Sequence, residues 1–450
     1  MVELIGCSRP TTFLYFRSAL QQISGYCKHM SSLESAIAVA GEAPLLSSLD
    51  FSLPPASTSC TDRRQHVRAY PTSASTLSPI GTKTCRIRLG GDDFVDASSV
   101  RLQFTINNTD GTNALTPVAG PWGVWSQCYL RSNGVEISNI PQLGRFMQQY
   151  SWNQLTMQEQ FAEAGICGLY GSWNATDNPL NTPSLGTIAA GASYTVLHKL
   201  PISLFESGKL LPTRYAPLEL EITCAAAADW LNVTAGHSQT YTISNVQILY
   251  DAYVLDEAVQ ESFYKSLLAS RTLSIPIMYA AQFTQAIPQG STSYSFTAVR
   301  AFSRLSHIWL TFRGTGPKAS EFVCPTTGNA TGASPALSDI SPSARLSIGP
   351  HYWPDAQPCA TIPEFYYMFQ KACGGMPNIT RDTYLNGAFT MVFDVRKVPY
   401  DPTSSISTRS GDLLRIDLQN LTANAATEVT MTLFSFAVCC VRESGVTVLT

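Results

Sequence analysis

The sequence predicts an all-β chain built as two sheet domains in tandem, and three observations predict it. Tyr241–Leu255 (YTISNVQILYDAYVL) reads as one long strand, and Asp256–Leu268 (DEAVQESFYKSLL) reads as a short helix near the middle of the 450 residues. β-rich sequence of similar length lies on either side of that helix. Charged residues make up only 14% of the chain, against about 25% in a typical soluble protein. A surface that poor in charge is usually covered in part by partners.

The first half contains one strand pattern after another. Lys83–Leu89 alternates, with Cys85, Ile87 and Leu89 on one face and Arg86 and Arg88 on the other. Ser99–Asn107 alternates again through Val100, Leu102, Phe104 and Ile106. Gly123–Arg131 and Val135–Ile137 flank Ser132-Asn133-Gly134, a strong hairpin turn. Further strands are expected at Ser193–Leu200 and Ala216–Cys224. Together with Tyr241–Leu255 the half holds seven or eight strands, the number an eight-stranded jelly roll needs. Pro141–Ala164 breaks the pattern: Leu143, Met147, Tyr150 and Trp152, then Leu155 and Phe161, suggest one or two helices on an insertion, followed by a loop to Ala190.

The second half repeats the plan. Strands are expected at Leu273–Ala286, Ser291–Val299, Leu305–Arg313, Ala344–Ile348, Ala388–Val395, Leu413–Leu418 and Glu428–Val441. Gly314–Pro342 reads as a long loop, and Ile362–Ala372 as a helix opened by Thr361 with Glu364 three residues on, a capping box. Residues 1–75 read as an N-terminal arm, partly helical over Phe13–Ile37, with Met30 a possible downstream start. The organisation expected is therefore 1–75 arm, 76–255 first jelly roll, 256–268 helical connector and 269–450 second jelly roll.

Net charge is −3, which provides no bulk drive toward nucleic acid. No run approaches the roughly 18–20 apolar residues of a membrane-spanning helix. The 12 cysteines are irregularly spaced without C-x-x-C and read as reduced, mostly buried side chains. Cys439 and Cys440 are adjacent and should point to opposite faces of a strand. Six N-x-[ST] sequons, from Asn107 to Asn420, are near the number chance delivers.

Asp92, Asp93 and Asp96 in GGDDFVD are better read as a capped turn than as a cation loop. Gly314-Thr315-Gly316 lacks the third glycine and the helix of a dinucleotide fingerprint. The six histidines (29, 66, 198, 237, 307 and 351) show no metal-binding spacing. His307 reads as a sheet histidine, and His351-Tyr352-Trp353 as an aromatic corner. The serine-hydrolase elbow is absent, and Cys373-Gly374-Gly375 reads as a helix C-cap. Arg63, Arg64, His66 and Arg68 form the only local basic patch, read as a solvated or paired segment. No catalytic, cofactor-binding or metal-ligating residue is assigned, and no enzyme activity is expected.

Several runs carry a family resemblance. They are Tyr70–Asn107 (YPTSASTLSPIGTKTCRIRLGGDDFVDASSVRLQFTIN), GVWSQCYLRSNGVEI, NVQILYDAYVLD, RAFSRLSHIWLTF and TRSGDLLRIDLQNL. In that order, over about residues 70–450, the chain resembles a double-jelly-roll major capsid protein, most of all those of polinton-like viruses and related virophage-type elements. The resemblance implies two tandem eight-stranded jelly rolls per subunit and homotrimers of pseudo-hexagonal outline. It also implies an icosahedral virion shell around double-stranded DNA, with penton and minor capsid proteins as partners. The chain lacks the long basic arm by which small single-roll capsid proteins neutralise RNA, so no specific nucleic-acid binding is expected.

Alternatives are a minor capsid or penton protein, a carbohydrate-binding β-sandwich using Trp122, Trp125 and Trp353, and a cupin-type metalloenzyme. The second half argues against the penton, unpaired carboxylates against sugar cleavage, and scattered histidines against the cupin. In a capsid tile the insertions Pro141–Ala190 and Gly314–Pro342 should project from the strand ends, the latter outward, with the arm on the inner side.

Overall fold

The structure, a computed structural model, describes residues 61–449 apart from 92, 118–119, 155–186, 270–271, 315–321, 326–341, 356, 374–383, 386–387, 399–400, 402, 410–411, 424–425 and 443–444. The expectations for Phe13–Ile37 and Met30 lie outside these residues, as does most of Gly314–Pro342.

Alternating sequence becomes strand wherever one face is buried. In the first half the strands are β1 (Thr61–Ala69), β2 (Thr84–Leu89), β3 (Phe94–Asp96), β4 (Arg101–Asn108), β5 (Trp125–Ser132), β6 (Val135–Ile140), β7 (Ser193–His198), β8 (Leu210–Leu211), β9 (Leu218–Cys224) and β10 (Tyr241–Leu255). The helices are α1 (Leu143–Gln154) and the single turn α2 (Ala227–Trp230). After the connector α3 (Glu257–Leu268) come β11 (Leu273–Ala286), β12 (Tyr294–Ala298), β13 (Leu305–Arg313), β14 (Ser343–Ile348) and β15 (His351–Trp353). The chain then continues through α4 (Ile362–Ala372), β16 (Thr390–Asp394), β17 (Leu414–Gln419), β18 (Glu428–Arg442) and β19 (Gly445–Leu449).

The pairing gives the same topology twice. In the first half β10 pairs with β1 on one side and β4 on the other, and β4 pairs with β7; the facing sheet runs β2-β9-β5-β6. In the second half the orders are β11-β18-β13-β16 and β12-β17-β14-β15. Number the eight core strands of each half one to eight. Both halves then show 1-8-3-6 facing 2-7-4-5, the interleaving of two four-stranded sheets that defines a jelly roll. Three strands lie outside this scheme: β3 and β8 extend the first sheet, and β19 pairs with the end of β18.

Each roll encloses its core between its two sheets. Cys85, Ile87 and Leu89 of β2 meet Leu102, Phe104 and Ile106 of β4 in the first, and all six are buried. Phe104 and Trp125 pack edge to face across that core, with ring centroids 5.0 Å apart. In the second, Ile308, Leu310 and Phe312 of β13 are fully buried, as are Leu346 and Ile416 of the opposite sheet. The Asn133-Gly134 turn has φ of 49° and 83°, the left-handed pair a two-residue hairpin requires.

Two expectations need correction. Thr61–Ala69, placed in the arm, is the first strand of the first roll, paired along β10 from Thr61↔Leu255 to Ala69↔Ile248. It escaped sequence reading because its outward positions are cationic and only Val67 and Ala69 contribute apolar side chains. The described part of the Pro141–Ala190 insertion does not project. Residues 143–149 of helix α1 are all buried, Arg145 and Gln148 at 2% exposure, because this part of the helix is wedged between the rolls. Helix α4 begins as expected: the Thr361 hydroxyl accepts from the Glu364 N–H, while the Glu364 carboxylate accepts from Ala360 N–H.

Candidate functional site

The residues weighed for chemistry do not converge. The Asp96 carboxylate accepts the Ser98 N–H at 2.9 Å and caps the short turn Ala97–Ser99. The Asp93 carbonyl accepts from the Thr213 hydroxyl, and Asp92 lies outside the described residues. The Gly314 carbonyl accepts from the Thr427 hydroxyl. Among the described residues no three His, Cys, Asp or Glu side chains are grouped to hold a metal ion.

The described histidines are separated. His66 on β1 lies 3.1 Å from Asp251, and His237 lies 3.0 Å from the Thr116 hydroxyl. His198 on β7 packs against Phe104, and burial lowers its pKa to about 4. His307 on β13 faces Asp394 at 3.8 Å. Burial, aided by Arg396, lowers its pKa to about 4 although Asp394 opposes the shift. His351 sits beside Trp353 on β15.

The described cysteines are buried or packed against the core. Burial pushes the thiols of Cys85, Cys359 and Cys373 up to about 12 and those of Cys224 and Cys439 to about 11, so they are protonated and weakly nucleophilic at neutral pH. Cys439 and Cys440 occupy successive positions of β18, and both are buried because that strand is covered on both faces. Cys373 caps α4 through its N–H to the Phe369 carbonyl. Trp125 is fully buried, and Trp122 and Trp353 are partly buried against the core. The basic patch lies on β1, where Arg64 and His66 both engage Asp251; the Arg64 bond is the main reason its carboxylate titrates below the usual range.

The seam between the rolls is polar and closely fitted. Gln142 takes a hydrogen bond from Thr430 and donates to Thr284 at 3.0 Å, and its N–H reaches Gln282. Arg145 Nε donates to Thr311 at 3.0 Å, its Nη1 lies 3.8 Å from Glu428, and its guanidinium rests on the Phe322 ring. Phe146 packs tilted against Phe434 with ring centroids 6.1 Å apart. Beyond the helix, Tyr279 donates to Glu136, and Arg300 donates to Tyr279. Ser203 accepts from the Met278 N–H at 2.6 Å. Sequence reading found none of these residues. The available signals were Arg145 inside a weakly charged insertion and the outward Thr430 and Thr432 of a strand that reads as almost wholly apolar.

Away from the seam, large apolar side chains stay exposed: Ile80 at 88%, Val299 at 84% and Tyr367 at 65%. Val299 and Leu413 lie just beyond the register partners Ala298 and Leu414, and both are exposed. No helix among the described residues is long and apolar enough to cross a membrane.

No protein-family model matches the sequence, and no curated protein does. Solved structures do match. The capsid chain of the PBCV-1 virus superposes with a TM-score of 0.61 at 11% identity, covering 87% of this chain and 97% of that one. The Faustovirus major capsid protein gives 0.57 at 7% identity over 97% and 100% of the two chains. A chain of the Sputnik virophage structure gives 0.54 at 10% identity over 89% and 91%. Likeness at such identity is likeness of fold, and together with the doubled strand order it establishes that this chain has the double-jelly-roll fold of the viral major capsid proteins.

Proposed function

We propose that this chain is the major capsid protein of an icosahedral double-stranded DNA virus and forms homotrimeric capsomers of pseudo-hexagonal outline. The observation that carries this reading is the repeated 1-8-3-6 and 2-7-4-5 strand order, two rolls in succession fastened by a polar seam. Three such chains present six similar rolls, which suits a closed ring. The low charge of the surface and the exposed Ile80, Val299 and Tyr367 support extensive subunit contact. On this reading the protein resides in the virion, has no enzymatic role, binds no nucleic acid specifically, and meets penton and minor capsid proteins at the lattice. The affinity to polinton-like viruses rests on the sequence resemblance. We divide the chain at the 256–268 connector into rolls at 76–255 and 269–450, with β1 added to the first.

Purified protein examined by light scattering after size exclusion tests the proposal. The expected mass is about three times 48.9 kDa, with hexagonal particles or shells in negative stain. A stable monomer at micromolar concentration overturns it.

A further inference from the structure

The two rolls treat the same sheet face differently. In each, the 2-7-4-5 sheet turns one face to the core and the other outward. In the first roll the outward face carries an ion ladder. Arg131 of β5 lies opposite Glu219 of β9, 3.5 Å from its carboxylate, and also holds Glu221, which Arg86 of β2 reaches at 2.8 Å. In the second roll Arg345 of β14 lies opposite Asp417 of β17 in the same way, but the two do not pair. Arg345 gives its Nη2 to the Asp355 carbonyl at 2.8 Å and lays its guanidinium over the Tyr352 ring at 4.1 Å, while its Nε is buried without an acceptor. Among the described residues it has no carboxylate partner.

Asp417 Oδ1 accepts from the Ser295 hydroxyl at 2.6 Å and from Arg415 Nε at 2.7 Å, which leaves its Oδ2 unused. Over these strands lies an open groove of about 460 Å³, lined in part by Arg345, Arg415, Asp417, Tyr352, Gln419 and Ser293. Among the described residues neither the Gln419 amide nor the Ser293 hydroxyl has a partner. We propose that this groove binds a sugar acid, a monosaccharide unit bearing one carboxylate, such as one unit of an acidic glycan. The groove lies on the opposite sheet from the one that meets α1, and the inference stands apart from the trimeric reading.

The lining chooses the ligand class. Arg345 and Arg415 supply the forked donors that a carboxylate takes. The carbonyl and ring contacts of Arg345 hold it in place before binding, so little side-chain freedom is lost. Asp417 sits on the strand between Ser295 and Arg345 and excludes other anions. Its unused oxygen accepts from a sugar hydroxyl but repels a doubly charged phosphate or a run of acidic side chains. The Gln419 amide and the Ser293 hydroxyl serve further ring hydroxyls. Tyr352 is 44% exposed and gives the C–H face of a sugar ring an aromatic surface to pack on. The volume lies within the range of small-molecule sites and suits about one or two sugar rings.

The test titrates the full chain with D-glucuronate, D-glucose and inorganic phosphate, read by saturation-transfer difference NMR for the sugars and by competition for phosphate. Glucuronate should bind about tenfold more tightly than glucose, the worth of one charge-assisted hydrogen bond, and phosphate should not displace it. Arg415→Gln should weaken glucuronate binding about tenfold for the same reason. Asp417→Asn should let phosphate compete. Arg86→Gln, on the ladder of the first roll, should bind like the parent. Equal binding of glucuronate and glucose, displacement by phosphate in the parent, unchanged binding in Arg415→Gln, or phosphate still excluded from Asp417→Asn overturns the proposal. The order of ligands on the parent needs no variant and decides alone if a variant fails to fold.

Discussion

Asn108 offers the sharpest test of the fold, because its side chain binds together the loops at one end of the first roll. It is 3% exposed. Its Nδ2 lies 2.9 Å from the Asn113 carbonyl, 3.2 Å from that of Ile188 and 3.0 Å from that of Ala189. Its Oδ1 accepts from the Asp110 N–H at 3.1 Å and the Ser238 hydroxyl at 2.8 Å. Asn108→Ala removes all five contacts. The Ile188 and Ala189 carbonyls keep other donors, the N–H groups of Leu115 and Ala192. Ser238 keeps the Thr240 carbonyl as an acceptor. Asn113 O and Asp110 N–H lose a partner in a half-buried setting.

At about 1 kcal/mol per net hydrogen bond, and 1–3 kcal/mol for each buried group left unpaired, the cost is about 3 kcal/mol. For a domain of this size that lowers Tm by roughly 6–12 °C. The neighbouring Asn107→Ala is the control. Asn107 is half-buried with its best contact to the Ser244 hydroxyl at 2.9 Å, so it should cost only about 1 kcal/mol. Both variants are scanned calorimetrically at one protein concentration and one scan rate, since association raises Tm and irreversible unfolding makes it rate-dependent. An Asn108→Ala shift under about 2 °C, or equal shifts for the two variants, would refute the reasoning.

Two further outcomes follow from buried charge. Arg145→Ala leaves Glu428 with Arg313 at 3.9 Å and strands the Thr311 hydroxyl, which should cost about 2–4 kcal/mol. Amide exchange at Thr311 and Thr430 should accelerate first, and unchanged exchange there would show that the seam does not depend on Arg145. His198 has a folded pKa of about 4, below its ordinary 6.5. As pH falls the unfolded chain takes up the proton first, so stability is full above about pH 6.5 and is lost toward pH 4, by about 1.4 kcal/mol per unit. His307 titrates in the same direction and falls to about the same value, although Asp394 opposes the shift. His198→Gln and His307→Gln should therefore each flatten the dependence of Tm on pH between 7 and 5 by a similar amount; equal slopes in parent and both variants would exclude the histidines as its cause.

How much of this was legible in the sequence follows from which forces are local. Strands such as Tyr241–Leu255, Leu273–Ala286 and Leu305–Arg313 were predicted with the bounds the structure has, because alternation or sustained β-branched sequence reports burial directly. The Thr361–Glu364 cap and the Asn133-Gly134 turn are local hydrogen-bond and dihedral chemistry, and both formed where expected.

What tertiary structure alone decided depends on partners distant in the chain. β1 is a strand because β10, some 185 residues on, offers an open edge and Asp251 to neutralise Arg64. No pattern within TDRRQHVRA reveals that. Helix α1 buries Arg145, Gln148 and Gln149 because threonine and glutamine side chains of the other roll lie above it, so its sequence looks like a projecting insertion while its position is a seam. The sequence by itself determined two sheet domains and a connector, since periodicity is written residue by residue. Which strands pair, and which polar faces are covered, emerged only when the rolls packed, because hydrogen-bond partners are chosen by the fold and not by their neighbours in the chain.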